Sequence, residues 1–421
     1  MKIYYNFRTD LATLLYCLPY IAKELNNRNY FVNGIIIASD GDTNSNILLD
    51  ALSKVLCDYK LINYGVCTSP AIAYECIINN CSGIMITASH CATQYTGLKI
   101  YDRDGYLLSA QEEDSLIQSL YPLLKNKKAV MELSDSLLIE LNDYDFCTNQ
   151  KFPLHYAAEI RKLRESIQEN VSWIVYRTNF DFLKKVINCS RDEYISSSEP
   201  DPEKRVISCF SNKFVVSIDA DGDKCIVYYN GKRINENLII FSLAVNLKVK
   251  ELVTNRETHP NIIKTLKKKG IRTRFVRVGD QFILDYQKKQ NEYLLLGAEA
   301  NGHYIMPGYS SPDGVISSLL YFLNHHEINV SANYSKAVFE FDNEVLRKQA
   351  IGTFFSTHKT DKICEYEYVT NFKSSLIYFR LSMWENSVVS IIFDDKCTQI
   401  LDALIDSFGG TVSRRLDYVE V

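Results

Sequence analysis

Apolar positions along this chain alternate between two periods. Gly34–Ala38 and Ile84–Ile86 are short unbroken apolar runs and Leu61–Val66 a run broken only by Asn63, as expected of buried strands. Leu14–Arg28, Asn46–Tyr59 and Ala71–Asn79 instead carry apolar residues at helical spacing. In the second of these, Ile47, Leu48, Ala51, Leu52, Val55 and Leu56 fall on one face. Pro19 interrupts the early part of the first. Strand and helix in alternation predict an α/β layered domain with mostly parallel pairing. Helical segments follow over Ser109–Asn142.

The alternation then repeats. His155–Gln168 reads as an amphipathic helix, Trp173–Arg177 as a strand and Phe180–Asn188 as a helix, with Ser196–Lys204 a loop by its Pro, Ser and Asp content. Two β-branched and aromatic runs flank an acidic turn within residues 215–229. Further on, Val249–Thr254 and Arg272–Val278 read as strands around a helix at Pro260–Lys269. Leu294-Leu295-Leu296 reads as another buried strand, and Asp313-Gly314 opens an apolar helix. These units divide the chain at 1–150, 151–246, 247–345 and 346–421.

Composition narrows the classes. An apolar fraction of 46% is ordinary for a globular protein, and a net charge of −4 gives no nucleic-acid footprint. The basic cluster at Lys264–Arg277 reads as a solvated helix end closed by Gly270. Twelve cysteines include no C-x-x-C pair, which argues against a zinc ribbon or a thioredoxin-type site. Met1–Asp10 is polar, and no apolar run approaches the ~20 residues that span a bilayer. The expectation is a soluble, cytoplasmic protein with reduced thiols, acting neither on nucleic acid nor at a membrane.

Chemistry concentrates where apolar runs end. Ile84-Met85-Ile86 breaks into Thr87-Ala88-Ser89-His90, and the carboxyl end of a strand in an α/β sheet is where ligands sit. A serine hydroxyl there, among small residues, suits an exposed nucleophile or phosphate carrier. Lys99 follows ten residues later, after Gly97. Asp219, Asp221 and Asp223 alternate in the acidic turn, so their carboxylates can converge on one hard cation. Three such charges at close range are costly without one. A calcium helix–loop–helix is excluded, because Gly222 falls at loop position four rather than six and Asn230 stands where a bidentate Glu is needed. Glu299, Asn301 and His303 bring a carboxylate, an amide and an imidazole to one loop, the groups that sugar hydroxyls require. Phe379–Ser387 contributes Arg380 and Ser382.

T-A-S-H followed by Gly97 and Lys99 resembles the active-site loop of the α-D-phosphohexomutases, T-A-S-H-N-P-x-x-x-N-G-x-K. D-A-D-G-D-K at 219–224 resembles their magnesium loop, with Lys224 in place of the usual Arg. E-A-N-G-H at 299–303 resembles their sugar-recognition loop in the form carried by the phosphoacetylglucosamine mutases. Val278-Gly279-Asp280 and F-R-T around Arg8 resemble two shorter motifs of the family. R-L-S-M-W-E at 380–385 occupies the place of its phosphate-binding R-P-S-G-T-E. Departures fall at Cys91 and Ala92, Thr96, Lys224, and Leu381, Met383 and Trp384. A strand–helix unit precedes the serine loop, as in most members, whereas phosphoacetylglucosamine mutases usually place that loop nearer the amino terminus.

The resemblance implies an α/β fold of four domains, three similar α/β/α units and a smaller α+β C-terminal domain, around a central cleft. It implies a phosphosugar mutase that moves a phosphoryl group between O6 and O1 through phospho-Ser89 and a sugar bisphosphate, with a trace of bisphosphate as activator. Mg²⁺ would be held by Ser89, Asp219, Asp221 and Asp223. The sugar phosphate would be bound by Arg8, Lys224, Glu299, Asn301, His303, Arg380 and Ser382, with Lys99 or His90 assisting proton transfer. N-acetylglucosamine phosphate is the favoured substrate. Glucosamine, glucose and mannose phosphates, and a non-catalytic binding protein of the same fold, are the alternatives.

Overall fold

A computed structural model of the chain describes residues 3–31, 33–89, 95–125, 150–205, 212–290, 294–324, 330, 332, 334–364, 366–372, 375–381, 387–393, 404 and 411–417. Its strands form four principal sheets, and three of them share one plan. In the first, β2 (Ile35–Ser39) lies parallel to β3 (Leu61–Val66) on one side and to β4 (Ser82–Ile86) on the other. After β1 (Thr9–Asp10) and β5 (Tyr95–Thr96), which pair with each other, β6 (Leu98–Tyr101) returns antiparallel along β4. In the second sheet β7 (Val171–Tyr176) lies parallel to β8 (Glu193–Ser197) and to β9 (Phe214–Ile218). There β10 (Cys225–Tyr229) returns along β9, and β11 (Lys232–Arg233) closes the edge. In the third, β12 (Glu251–Thr254) lies parallel to β13 (Arg272–Phe275) and β14 (Leu295–Ala298), with β15 (Tyr304–Ile305) antiparallel to β14.

Each of these sheets therefore ends in a hairpin: β4–β6, β9–β10 and β14–β15. The serine loop, the acidic turn and the E-A-N-G-H loop are the three hairpin connections, at equivalent places in three similar units. The fourth sheet is antiparallel throughout. Its order is β17 (Thr360–Cys364), β18 (Glu367–Phe372), β19 (Ser375–Leu381), β20 (Ser387–Phe393), β16 (Ser335–Glu340), β21 (Thr411–Asp417).

Helices cover the sheets as the apolar periods predict, with differences at their starts. The helix read from Leu14 begins at Leu11 (α1, Leu11–Asn27), where the Asp10 carboxylate accepts the Thr13 amide at 2.9 Å. The helix read from Asn46 begins at Thr43 (α2, Thr43–Val55). The first turn of α2, Thr43-Asn44-Ser45-Asn46, is polar and carries no apolar period, so there the pattern starts late. Next come α3 (Ser69–Asn79), α4 (Ala110–Leu120), α5 (Leu154–Glu165) and α6 (Phe180–Ile187). Then α7 (Glu236–Asn246) is buried over nearly all its length. A helix with no solvated side has no amphipathic period, and none is legible there. The polar edge strand β8 likewise takes the first two residues of the Ser196–Lys204 loop. The remaining helices are α8 (Pro260–Lys268), α9 (Asp280–Gln290), α10 (Gly314–Leu323) and α11 (Glu344–Thr357). One apolar core runs continuously from the outer layer of the first sheet through the second and third, while α1, α2 and α4 enclose a second core on the other face of the first sheet. The fourth sheet has its own core around Phe339, Phe354 and Phe379. No helix among the described residues is long and apolar enough to cross a membrane.

Candidate active site

At the end of β4 the chain turns abruptly. Ser89 has φ 55, a left-handed conformation that typically costs a non-glycine residue about 1–3 kcal/mol and recurs at functional turns. The turn is held by short polar contacts. The Ser89 amide donates to Thr87 Oγ1 at 2.7 Å, and the Ala88 amide donates to Asp40 Oδ2 at 3.1 Å. Asp40 lies at the end of β2, and its own amide donates to the Ile86 carbonyl at 3.0 Å. Its carboxyl is buried, which pushes its pKa up to about 6. Ser39-Asp40-Gly41-Asp42 reads in the sequence as an ordinary polar turn. Its position at a strand's carboxyl end, beside the serine loop, is the signal that marks it.

The acidic turn between β9 and β10 is wholly buried: Asp219, Asp221 and Asp223 are each 1% exposed or less. One oxygen of each carboxylate is engaged. Asp219 Oδ1 accepts the Gly222 and Lys224 amides at 3.0 and 3.1 Å. Asp221 Oδ2 accepts from Lys99 Nζ at 2.7 Å and Ser69 Oγ at 2.9 Å, and Asp223 Oδ2 also pairs with Lys99. The opposite oxygens, Asp219 Oδ2, Asp221 Oδ1 and Asp223 Oδ1, are buried without a hydrogen-bond partner, though the His303 imidazole Nε2 approaches the last at 3.4 Å. Three carboxylates whose ligand atoms lie within 4.8 Å of one another, each turning a bare oxygen inward, fit a hard divalent cation. They are costly without one. Burial raises the Asp219 pKa, and the charges of Asp223 and Asp221 raise it further. Burial alone would also raise Asp223, but Lys99 and His303 hold it well below the usual carboxylate range.

Lys99 comes from β6, the return strand of the serine hairpin, and is itself buried. Burial would depress its pKa, but Asp221 and Asp223 outweigh that and hold it well above the ordinary value. The first unit thus plants a fixed positive charge in the second unit's acidic turn. Ser69, at the start of α3, makes a second cross-unit contact there, its amide donating to the Asp221 carbonyl at 2.8 Å. Thr68 closes against Gly222, where a Cβ would lie 2.6 Å from the Thr68 methyl.

The E-A-N-G-H loop leans on the acidic turn. Lys224 and His303 form an isolated antiparallel bridge, and the Cys225 amide donates to the Gly302 carbonyl at 3.1 Å. Gly302 has φ +101, and a Cβ there would sit 2.4 Å from the Cys225 carbonyl oxygen, so glycine is required. His303 Nδ1 meets Asn301 Oδ1 at 3.0 Å while Nε2 faces Asp223. Burial would lower the His303 pKa; Asp223 and Glu299 raise it above the ordinary value. Glu299 is buried, and its Oε1 accepts from Asn255 Nδ2 at 2.7 Å and the Gly279 amide at 2.8 Å. The V-G-D turn therefore supports the sugar loop directly. The Asn301 amide is committed to His303 and, at 3.4 Å, to Glu299, which leaves one of its hydrogens for a ligand.

The remaining expected residues are spread more widely. Arg380, at the end of β19, pairs through Nε with the buried Glu257 carboxylate at 2.8 Å. Glu257 and Asn255, on the loop after β12, were not legible as site residues: nothing in N-R-E-T-H distinguishes them from a surface turn. Arg8 packs beside Gly97, where a Cβ would meet its side chain at 2.9 Å. Lys224 is buried and its ammonium is turned into Glu203 at 2.8 Å and Asp201 at 3.7 Å, so its charge is already matched by two carboxylates. His90, Cys91, Ala92, Ser382, Met383 and Trp384 lie outside the described residues.

A fold of three like α/β units with a separate antiparallel sheet, and three hairpin loops carrying a serine, an aspartate cluster and a Glu–Asn–His set, defines a class of sugar-phosphate enzyme. Two profiles of the phosphoglucomutase/phosphomannomutase group match the chain. Alpha/beta/alpha domain I matches residues 10–123 and alpha/beta/alpha domain III residues 235–335. The chain belongs to the α-D-phosphohexomutase family, whose members are isomerase-class phosphotransferases. A phosphoglucosamine mutase of Prochlorococcus marinus (strain MIT 9215) is 26% identical over 336 residues, covering 73% of this chain and 72% of its own. A phosphoglucomutase/phosphomannomutase family protein of Burkholderia thailandensis has a similar structure, with TM-score 0.69 at 14% identity, covering 97% of this chain and 98% of its own. An Aspergillus fumigatus N-acetylphosphoglucosamine mutase, solved in complex with GlcNAc-6P and magnesium, has TM-score 0.51 at 10% identity, covering 81% and 92%.

Proposed function

We propose that this chain interconverts the 6-phosphate and 1-phosphate of a hexosamine through a phosphoserine at Ser89. The observation that carries this reading is the junction of the first two units. A strained serine turn and a buried lysine share one hairpin, and that lysine reaches Asp221 and Asp223 in a cluster of three carboxylates with inward-facing bare oxygens.

Phosphoryl transfer is governed mainly by positioning and charge neutralisation. Asp219, Asp221 and Asp223, with an oxygen of the Ser89 phosphate, would hold Mg²⁺, which supplies positive charge beside the phosphoryl group as it moves. Lys99 offsets two of the three carboxylates from the opposite side. Held protonated by Asp221 and Asp223, it serves as a fixed charge, and the proton of the attacking hydroxyl passes to another group, for which His90 is the candidate. The sugar O1 takes the phosphoryl group from Ser89 and loses its proton, while the Ser89 oxygen regains one. The resulting 1,6-bisphosphate turns over in the cleft. The phosphoryl on O6 then returns to Ser89 and leaves the 1-phosphate. Glu299, Asn301 and His303 hold the sugar hydroxyls in either orientation. Arg380, with Nε on Glu257, has both Nη groups for the phosphate that is not reacting, together with Ser382.

Hexosamine specificity is supported from two sides. E-A-N-G-H carries an amide where most members have serine, which favours an N-acetyl group, and the Aspergillus fumigatus enzyme binds GlcNAc-6P. The Prochlorococcus marinus relative is a phosphoglucosamine mutase, which favours the free amine. The deciding experiment compares kcat/KM for N-acetylglucosamine 6-phosphate, glucosamine 6-phosphate and glucose 6-phosphate, with Mg²⁺ and a trace of the matching bisphosphate. Either hexosamine should exceed glucose 6-phosphate by roughly tenfold, the value of one good hydrogen bond. Glucose 6-phosphate turning over fastest would overturn the specificity. No turnover of any of the three, nor of mannose 6-phosphate, would overturn the mutase itself.

A further inference from the structure

A cavity of about 340 Å³ opens on the far side of the acidic turn, between α3, α5 and the loop 308–313. One wall is α3, where Pro70, Ala73, Tyr74, Ile77 and Ile78 recur at helical spacing; Ala73 is buried, while Ile77 and Ile78 are 42% and 48% exposed. Two isoleucines left that open beside a concavity mark a contact surface rather than scattered exposure. Three tyrosine rings form the rest of the apolar lining. Tyr74 lies 6.0 Å from Tyr156 and 6.4 Å from Tyr309 between ring centroids, and none of these pairs is stacked flat.

The polar groups of the cavity have one sign. Glu159 and Asp313 are the ionisable carboxylates among its lining residues, and no lysine, arginine or histidine lines it among the described residues. Glu159 is only half buried and receives the Tyr309 hydroxyl at 3.2 Å, while Tyr156 donates to Asp313 at 2.9 Å. Ser310, 5% exposed, has a buried hydroxyl oxygen with no hydrogen-bond partner. Electron-rich tyrosine rings beside a carboxylate, with no competing cation among the described lining residues, attract a positively charged group. A phosphorylated sugar is disfavoured, because its phosphate would face Glu159 with no cation among the described lining residues to offset it.

We propose that this cavity is a second binding site, separate from the catalytic cleft, for a free compact organic cation of the substituted-ammonium class. The cationic head lies between Tyr74 and Tyr309 against Glu159, and the apolar body covers Ile77 and Ile78. Its floor adjoins the catalytic junction: Pro70 follows Ser69, whose hydroxyl holds Asp221.

The test uses choline and its uncharged isostere 3,3-dimethylbutan-1-ol, titrated into the full chain by calorimetry. Choline should bind at one site with a millimolar Kd, and the alcohol roughly fivefold or more weaker. Glu159→Gln should bring choline down to the alcohol's affinity, and Tyr74→Leu should weaken choline to a similar extent, with melting temperatures confirming that both variants fold. Mutase turnover should be unchanged in Glu159→Gln. Equal binding of choline and the alcohol to the wild-type chain would show an apolar crevice without cation selectivity and overturn the proposal, as would undetectable choline binding. Neither result depends on the variants folding, or on which sugar phosphate the cleft accepts.

Discussion

Ser89 is the proposed phosphate carrier, and its environment explains how it is held rather than how it reacts. Its left-handed backbone is fixed by Thr87 from within the loop and by Asp40 from the neighbouring strand. Intact-mass analysis of purified protein should show a fraction heavier by one phosphate, absent in Ser89→Ala; label persisting in that variant would place the phosphate elsewhere. Asp40 carries a pH signature. Its pKa is about 6 in the folded chain, against an ordinary value near 3.9 in the unfolded one. The folded state therefore binds the proton more tightly, and this group's contribution to stability is fully present below about pH 4. It is lost as pH rises through about 6, a change on the order of 3 kcal/mol. Asp40→Asn can still accept the Ala88 amide through its side-chain oxygen. Denaturant melts at pH 4.5 and pH 7 should therefore differ less in the variant than in the wild type; an unchanged difference would mean that Asp40 is not the titrating group.

At the scale of elements, the acidic turn and the E-A-N-G-H loop brace each other. The acidic turn presses Gly222 on Thr68 and Cys225 on Gly302, and His303 reaches back to Asp223. Gly302→Ala would place a methyl carbon 2.4 Å from a carbonyl oxygen in a backbone region that side chains avoid. It should cost at least about 2 kcal/mol in a thermal melt and should lower turnover through the displaced His303. A melt within error of wild type would show that the two loops are not braced. The acidic turn should also be a divalent-cation site by direct measurement. Calorimetry should find Mg²⁺ binding in the wild type, weakened by more than about tenfold in Asp221→Asn, which removes one of three ligand charges. Equal affinities would leave the turn a purely structural cluster held by Lys99.

For the whole molecule, the question is how the antiparallel C-terminal sheet is tied to the three α/β units. Glu257 of the third unit grips Arg380 of the fourth sheet, and the His259 ring meets Phe393 of β20 edge-on at 5.3 Å. Glu257 is buried and Arg380 about one-quarter exposed, so breaking the pair should cost less than for a fully buried one, about 1–3 kcal/mol. In Glu257→Gln, amide exchange over β19 should speed up while that in β2, β7 and β12 stays as it was. KM for the sugar phosphate should rise several-fold with kcat within about twofold, because Arg380 is proposed to hold the non-reacting phosphate. Exchange in β19 that matches the wild type would show that the sheet is anchored elsewhere.

The sequence by itself determined a good deal. Short apolar runs located β2, β3, β4 and β14, helical spacing located α2, α3, α5 and α6, and polar breaks at strand ends located Ser89, the three aspartates and Glu299, Asn301 and His303. These are local properties: an apolar period or a cluster of like charges is visible wherever it stands in the chain. Tertiary structure decided what depends on residues far apart in sequence. The uniformly buried α7 and the polar edge strand β8 lack a period because their neighbours, not their own faces, determine their burial. Asp40, Ser69, Asn255 and Glu257 are ordinary loop residues until the fold brings them against Ala88, Asp221, Glu299 and Arg380. The charge of Lys224 reads as available in the sequence, yet Glu203 and Asp201 meet it in the folded chain. The equivalence of the three functional hairpins was invisible as well, since a shared strand order is a relation among sheets that no stretch of sequence carries alone.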